Sequence, residues 1–162
     1  MTAPVGTAIR RLAEEDWALL RDLRLTALRD APGAFWATYA QEVGLDEEAW
    51  RTRLRDRLVF AGYHAGEPAG LVGGYVDGDG EANLMMMWVA PAARGSGLAG
   101  LLIETVLDWA RAAGRPRVLL WVADPNTGAR RLYERHGFSP TGRTGQLPHE
   151  PPVPEREYAR EL

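Results

Sequence analysis

"RGSGLAG", Arg94 to Gly100, decides how this chain is read. Taken from Gly95, the run Gly95-Ser96-Gly97-Leu98-Ala99-Gly100 spells G-x-G-x-x-G, the dinucleotide-binding fingerprint. Taken one residue earlier, Arg94 to Ala99 spells R-x-x-G-x-A, a different phosphate loop. Before it, "ANLMMMWVA" (82–90) is apolar on both faces and reads as a central strand. After it, residues 97–113 read as a long helix stopped by Gly114, with Leu98, Leu102, Val106, Trp109 and Ala113 as the buried stripe.

The dinucleotide reading has some support. Asp124 lies about twenty residues further on, where a ribose-binding acid would sit. The context opposes it. Ala90 to Arg94 separate the strand from the first glycine, whereas in a dinucleotide fold that glycine leaves the strand directly. A meander of strands comes first, too little chain remains for a second mononucleotide half, and Asp124 precedes Pro125, as a turn residue does. The second reading explains each residue. A helix start offers unpaired N–H groups and a positive dipole end to a diphosphate. Gly95 and Gly97 let the backbone approach it. Ser96 adds a hydroxyl donor, and Ala99 keeps the helix slim beside the ligand. Arg94 either pairs with a phosphate or folds back onto loop carbonyls.

Working outward, "TAIRRL" (7–12) alternates as a first strand, and "WALLRDLRLTAL" (17–28) has helical spacing. Asp46 caps a second helix, "EEAWRTRLRDRL" (47–58). "LVFAGYH" (58–64) and "AGLVGGYVD" (69–77) form a hairpin over "AGEP", and "RVLLWVA" (117–123) is another two-sided strand. "NTGARRLYERHGF" (126–138) is a helix closed by Gly137, and "FSPTGR" (138–143) and "EREYAREL" (155–162) are closing strands. "QLPHEPPVP" (146–154) between them reads as a stiff, extended loop. The order β-α-α-β-β-β-α-β-α-β-β predicts an α/β (α+β) layer fold in one domain, 1–162, with a mixed sheet and a parallel centre.

Composition narrows the function classes. The chain has 162 residues, 46% of them apolar, and a net charge of −3. That is globular, with no charge reason to expect nucleic acid. With no Cys there is no disulfide, thiolate metal site or Cys acyl-enzyme, and three scattered His argue against a metal. No apolar run would span a bilayer, so a cytoplasmic protein without membrane partners is the expectation.

"MMWVAPAARGSGLAGLLIETVLDWA" followed by "LLWVADPNTGARRLYERHGF" resembles the GNAT superfamily of acetyl-CoA-dependent N-acetyltransferases. The first piece resembles its strand, V-x-P, R-x-x-G-x-A and long helix. The second resembles its strand, Asn, helix with Tyr, and closing G-F. With "IRRLAEEDW" the likeness covers nearly the whole chain. The resemblance implies a mostly antiparallel sheet splayed at its parallel pair, helices on both faces, and acetyl-CoA as acyl donor. It also implies a usual homodimer, and transfer to a primary amine, expected here to be that of a small molecule, by direct attack within a ternary complex.

By the same resemblance, the strand ending near Val89 is bulged, pantetheine lies in the splay, and the Val89 N–H faces the thioester carbonyl. The diphosphate falls to Arg94, Gly95, Ser96, Gly97, Leu98 and Ala99. Asn126 and Ala129 share a helix face with Tyr133 at i, i+3 and i+7. Asn126 is then expected on the pantetheine arm, and Tyr133 as the acid protonating the departing thiolate, unless Tyr133 is a packing aromatic. Arg130, Arg131 and Arg135 either approach the ribose 3′-phosphate or are solvated.

Some members of the family carry a Glu base on the central strand; the matching position here is Asn83. Glu81, on the same face, is the expected base, acting through a water held by Asn83. Glu42, His149 and Glu150 are the alternatives. Phe35, Trp36 and Tyr39, between two helices, are expected to line the acceptor pocket, with the Pro-rich loop near it. A non-catalytic acyl-CoA-binding module and an enzyme acting on a protein amine remain the competing functions.

Overall fold

The computed structural model describes residues 5–162. In chain order the elements are β1 (Thr7–Arg11), α1 (Trp17–Asp30), α2 (Tyr39–Glu42), α3 (Glu47–Asp56), β2 (Leu58–His64), β3 (Glu67–Val76), β4 (Ala82–Val89), α4 (Leu98–Ala112), β5 (Arg117–Ala123), α5 (Thr127–Arg135), β6 (Ser139–Leu147) and β7 (Val153–Glu161). The strands form a single seven-stranded sheet, in the order β1-β2-β3-β4-β5-β7-β6. Only β4 and β5 are parallel, and α4 connects them. The expected mixed sheet with a parallel centre is present.

Each face of the sheet buries its own cluster. On one, α4 and α5 cover Val72, Leu84, Val118, Leu120, Val122 and Tyr158. On the other, α1 and α3 bury Leu20, Leu23, Ala27, Trp50 and Leu54 against Val59, Leu71, Met86 and Trp88. The buried side of α4 is Leu98, Leu102, Ile103, Val106, Leu107 and Ala110. Each larger side chain there contributes roughly 1.5–3 kcal/mol of burial. Two members of the predicted stripe differ: Ala113 lies past the helix end and is exposed, and Trp109 is half-buried.

Bare backbone lets α4 approach the sheet. A Cβ at Gly62 would stand 2.9 Å from Leu98 Cδ1, and one at Gly70 would stand 3.0 Å from Leu102 Cδ1 and 3.1 Å from the Trp88 carbonyl oxygen. The glycines of β2 and β3 therefore fix the depth of the helix whose N-terminus follows the Gly95–Gly97 turn.

Asp46 caps α3 as expected, its Oδ1 accepting the Ala49 N–H at 2.9 Å. The helix ends at Asp56, and Leu58 opens β2. A further short helix, α2, lies inside the predicted acceptor loop. Thr38 Oγ1 accepts the Gln41 N–H, and the Gln41 side chain accepts the Thr38 N–H. This capping box was present in the sequence as T-x-x-Q. The stiff loop is shorter than expected, because β6 runs to Leu147 and β7 begins at Val153.

Candidate active site

The site begins where the sheet fails to close. Two β4 residues, Met86 and Met87, face the single residue Val72 of β3. Met86 has φ 55, left-handed for a non-glycine residue. Such a bulge re-aims a strand and locally disrupts its pairing. Strand β4 pairs with β5 only at Ala82↔Val118 and Asn83↔Leu119. From Leu84 onward the two diverge, while β5 stays paired with β7 as far as Ala123. The wedge opens into a cleft of about 860 Å³, lined by β4, the 93–99 loop, the ends of β5 and α5, and the segment after α1.

The exposed edge of β4 has a defined polarity. The Ala90 N–H donates to the Ala69 carbonyl at 2.7 Å. By the alternation of an antiparallel ladder, the N–H and C=O of Val89 then point away from β3, toward the wedge. The Val89 carbonyl is already used: Arg94 Nε donates to it at 3.2 Å. Arg94 Nη2 donates to Asp30 Oδ2 at 2.7 Å, and Trp88 Nε1 donates to the same oxygen at 3.0 Å. Of its two readings, Arg94 adopts the folded-back one.

Gly95 and Gly97 have φ 80 and φ 88, a conformation that an L side chain resists. Gly97 is the N-cap of α4, which leaves main-chain N–H groups at the helix start. Ser96 Oγ donates to the Ala93 carbonyl and accepts the Leu98 N–H, so it braces the loop from within. The Leu98 side chain is wholly buried in the core. Ala99 lines the cleft. An exposed glycine turn with a positive dipole end, continuous with the wedge, fits the diphosphate and pantetheine arm of acetyl-CoA.

On the far wall, Asn126 caps α5, its Oδ1 accepting the Ala129 N–H at 3.2 Å, and both residues line the cleft. Tyr133 also lines it, 6% exposed, its ring edge-on to Phe138 at 5.8 Å. Burial raises the pKa of its hydroxyl, so Tyr133 stays protonated. Asp124 is bound by Arg156 at 2.6 and 3.1 Å, as a structural turn residue. Arg130 donates to the Asp124 carbonyl and the Tyr158 hydroxyl. Arg135 reaches the cleft.

The acceptor side differs from expectation. Phe35 lines the cleft. Trp36 is 60% exposed, with Nε1 directed onto Glu155. Tyr39 is not among the cleft-lining residues; its ring lies under Arg29, 5.0 Å from the guanidinium carbon. The structure does not bring Glu81 or Asn83 to the cleft. Glu81 is held by Arg117 through three contacts of 2.7–3.1 Å, and that pairing keeps its carboxyl below the usual range. Asn83 donates to Asp77 Oδ2 and to the Glu81 carbonyl. These contacts tie down the turn at the opposite end of β4. Glu42 is locked between Arg24 and Arg53, and His149 Nε2 donates to the Phe35 carbonyl at 2.6 Å.

One carboxylate carries no signal in the sequence. Glu155 of β7 is 5% exposed, and its pKa is raised by burial, which the Trp36 N–H offsets only in part. In sequence it stands in the alternating "EREYAREL", a closing strand with nothing to distinguish one Glu from the next. Among the described residues, no group of three or more His, Cys, Asp or Glu could hold a metal ion, and no helix is long and apolar enough to cross a membrane.

Comparison with known proteins agrees with this geometry. The model of the Acetyltransferase (GNAT) family matches residues 13–138. A mycothiol acetyltransferase of Beutenbergia cavernae is 35% identical over 122 residues, 66% of this chain and 41% of that protein. One from Jonesia denitrificans is 41% identical over 76 residues, 43% of this chain and 24% of that protein. The matches thus span well under half the length of these curated relatives. A GNAT-family acetyltransferase of Streptococcus pneumoniae superposes with TM-score 0.80 at 21% identity, over 96% of this chain and 99% of that one. A putative acetyltransferase of Salmonella typhimurium, solved with its cofactor acetyl-CoA, superposes with TM-score 0.76 at 19% identity, over 96% and 94%. These two likenesses concern the fold. With its bulged and splayed strand, its glycine turn at a helix start and a family match over residues 13–138, the chain belongs to the GNAT acetyltransferase family.

Proposed function

We propose that this chain is an N-acetyltransferase acting on the primary amine of a small molecule by direct attack within a ternary complex. The observation that carries the reading is the convergence of three features on one cleft: the opened edge of β4, the Gly95–Gly97 turn and the Tyr133 side chain. Acetyl-CoA supplies an acetyl group activated as a thioester. The N–H groups at the start of α4 hold its diphosphate, and Asn126, whose Oδ1 is spent on the helix cap, offers its NH2 to the pantetheine arm.

The Val89 N–H, aimed at the wedge, stabilises negative charge on the thioester oxygen as nitrogen attacks, a contribution on the order of 3 kcal/mol. Tyr133, protonated at neutral pH, donates a proton to the departing sulfur. The chain has no cysteine to carry the acetyl group, which fits direct attack of the amine on the thioester. An acceptor side walled by Phe35 and Trp121 favours a compact amine over a peptide.

The test is thiol release from acetyl-CoA across a panel of primary amines, with the acetylated product identified by mass spectrometry. Turnover of one or more small amines is expected. Tight coenzyme A binding with no product from any amine would overturn the reading.

A further inference from the structure

The acceptor face of the sheet holds two buried acids, and they are treated differently. Glu157 is matched: Thr141 donates to it at 2.9 Å and Arg143 at 3.2 Å. Glu155, two residues earlier on the same face of β7, is not. Among the described residues its one side-chain donor is the Trp36 N–H, shared between its two oxygens at 3.2 and 3.3 Å. An ionised carboxylate has about four acceptor sites, and burying it with a single neutral donor is costly unless a cation arrives.

The cations on the surrounding elements are committed elsewhere. Arg143 of β6 binds Glu157, and Arg156 of β7 binds Asp124 after β5. From the loop before β7, His149 donates to the Phe35 carbonyl, and from α1 and α3, Arg24 and Arg53 hold Glu42. Opposite Glu155 stand Ala123 of β5 and Gly145 of β6, neither of them charged. Neither Glu155 nor Trp36 is itself a cleft-lining residue; Glu155 stands just behind the wall formed by its ladder partner Ala123, by Val153 two residues before it and by Phe35 next to Trp36.

We infer that the Glu155 carboxylate, roofed by Trp36, is the catalytic group that receives the acceptor's ammonium and takes its proton. This rests on the amine-acetylation reading above. The ammonium supplies the missing positive charge. One proton passes from nitrogen to Glu155, giving a neutral amine. Its lone pair forms the N–C bond to the acetyl carbon while the C–S bond breaks. The sulfur takes a proton from Tyr133, and the surplus proton on the new amide nitrogen restores the tyrosine. Glu155 releases its proton to solvent, so one proton leaves per turnover. The site selects acceptors that are cationic at the reacting nitrogen; a roof of one exposed indole restricts access without closing it.

The test is Glu155→Gln, which keeps the shape and an acceptor for Trp36. Two measurements are made on the full chain. In the first, n-butylammonium is titrated into the protein–coenzyme A complex and followed by calorimetry. Wild type binds, and the variant's affinity falls at least tenfold while its coenzyme A affinity changes less than twofold. In the second, kcat/KM is followed against pH for any amine turned over. The variant loses at least a hundredfold and loses the rise of rate with pH that reports Glu155. The variant's Tm at neutral pH rises, since an ill-matched buried charge is gone, so loss of binding is not loss of fold. Butylammonium binding equal in both proteins, or an unchanged pH profile in the variant, overturns the inference. Butylammonium binding that depends on Glu155 without turnover of any amine upholds the ammonium site and sinks the acetyltransferase reading instead.

Discussion

Arg94 and Asp30, 64 residues apart, meet at 2.7 Å, and through that contact the end of α1 is fastened to the glycine turn before α4. The same Asp30 oxygen accepts the Trp88 indole N–H, and the same guanidinium holds the Val89 carbonyl. One carboxylate thus ties together the end of β4 and Arg94, the residue that leads into the glycine turn.

Asp30→Ala removes the acceptor of both donors. The Arg94 pair is 55% exposed on the arginine side, so it contributes at most about 1 kcal/mol. The stranded Trp88 N–H adds about 1–3 kcal/mol. At roughly 2–4 °C per kcal/mol for a chain of this size, the expected fall in Tm is about 5 °C. Calorimetry should show coenzyme A bound severalfold more weakly. Asp30→Asn keeps an acceptor for Trp88 and should lose less than half as much. Equal losses in the two variants would show that the charge, not the indole bond, holds the corner.

Tyr133→Phe separates chemistry from packing, because the ring stays on Phe138 and only the hydroxyl goes. If Tyr133 protonates the leaving sulfur, kcat falls about 10²-fold or more with little change in the KM for acetyl-CoA. Because burial raises the hydroxyl's pKa, the wild-type rate should show no alkaline loss below the ordinary tyrosine range near pH 10. A variant with unchanged kcat in thiol-release assays would leave Tyr133 as a wall of the cleft only.

The glycine turn before α4 and the Asn126 cap of α5 were legible in the sequence because glycine and helix-cap chemistry are local. Gly95, Gly97 and Asn126 act through the backbone beside them, so their spacing carries the geometry. The pairing of the carboxylates was not, because it is assembled over long sequence distances. Glu81 looked available on the face shared with Asn83, but Arg117, 36 residues away, occupies it. Glu155 looked like any charged residue in an alternating strand, and only Trp36, 119 residues away, distinguishes it. The Arg94 choice, likewise, depended on where Asp30 came to lie.

Gly97→Ala tests the turn itself. At φ 88 an L side chain costs about 1–2 kcal/mol in the left-handed region. The variant should melt about 3–6 °C lower and bind coenzyme A at least tenfold more weakly, because the added methyl stands at the helix start where the diphosphate is to lie. Gly44→Ala, at an exposed position outside the cleft where an added methyl group would meet nothing within 4 Å, should be neutral or slightly stabilising and serves as the control. A Gly97→Ala protein that binds coenzyme A normally would move the diphosphate elsewhere.

Glu42 governs behaviour in acid. It sits 6% exposed between Arg24 at 3.0 Å and Arg53 at 2.9 Å, joining α1, α2 and α3 behind Phe35. Burial pushes its carboxyl up, but the hydrogen bonds from Arg53 and Arg24 outweigh that and hold it below the usual value of 4.5. A carboxyl depressed in the folded state lends stability that is complete above its unfolded pKa and is lost as pH falls through the folded one. That loss lies below about pH 4.5. Glu42→Gln has no such carboxyl and leaves Arg24 buried without a counter-charge, at a cost of about 3–5 kcal/mol near neutrality. Thermal melts from pH 3 to pH 7 should therefore show the variant about 10 °C below wild type at pH 7, with the gap narrowing below pH 4.5 as wild type loses the pairing. Asp30, Glu81 and Asp124 are also depressed, but they remain in both proteins, so the difference between the two curves isolates Glu42. A gap independent of pH would mean that the Arg24–Glu42–Arg53 corner is held by shape rather than by charge.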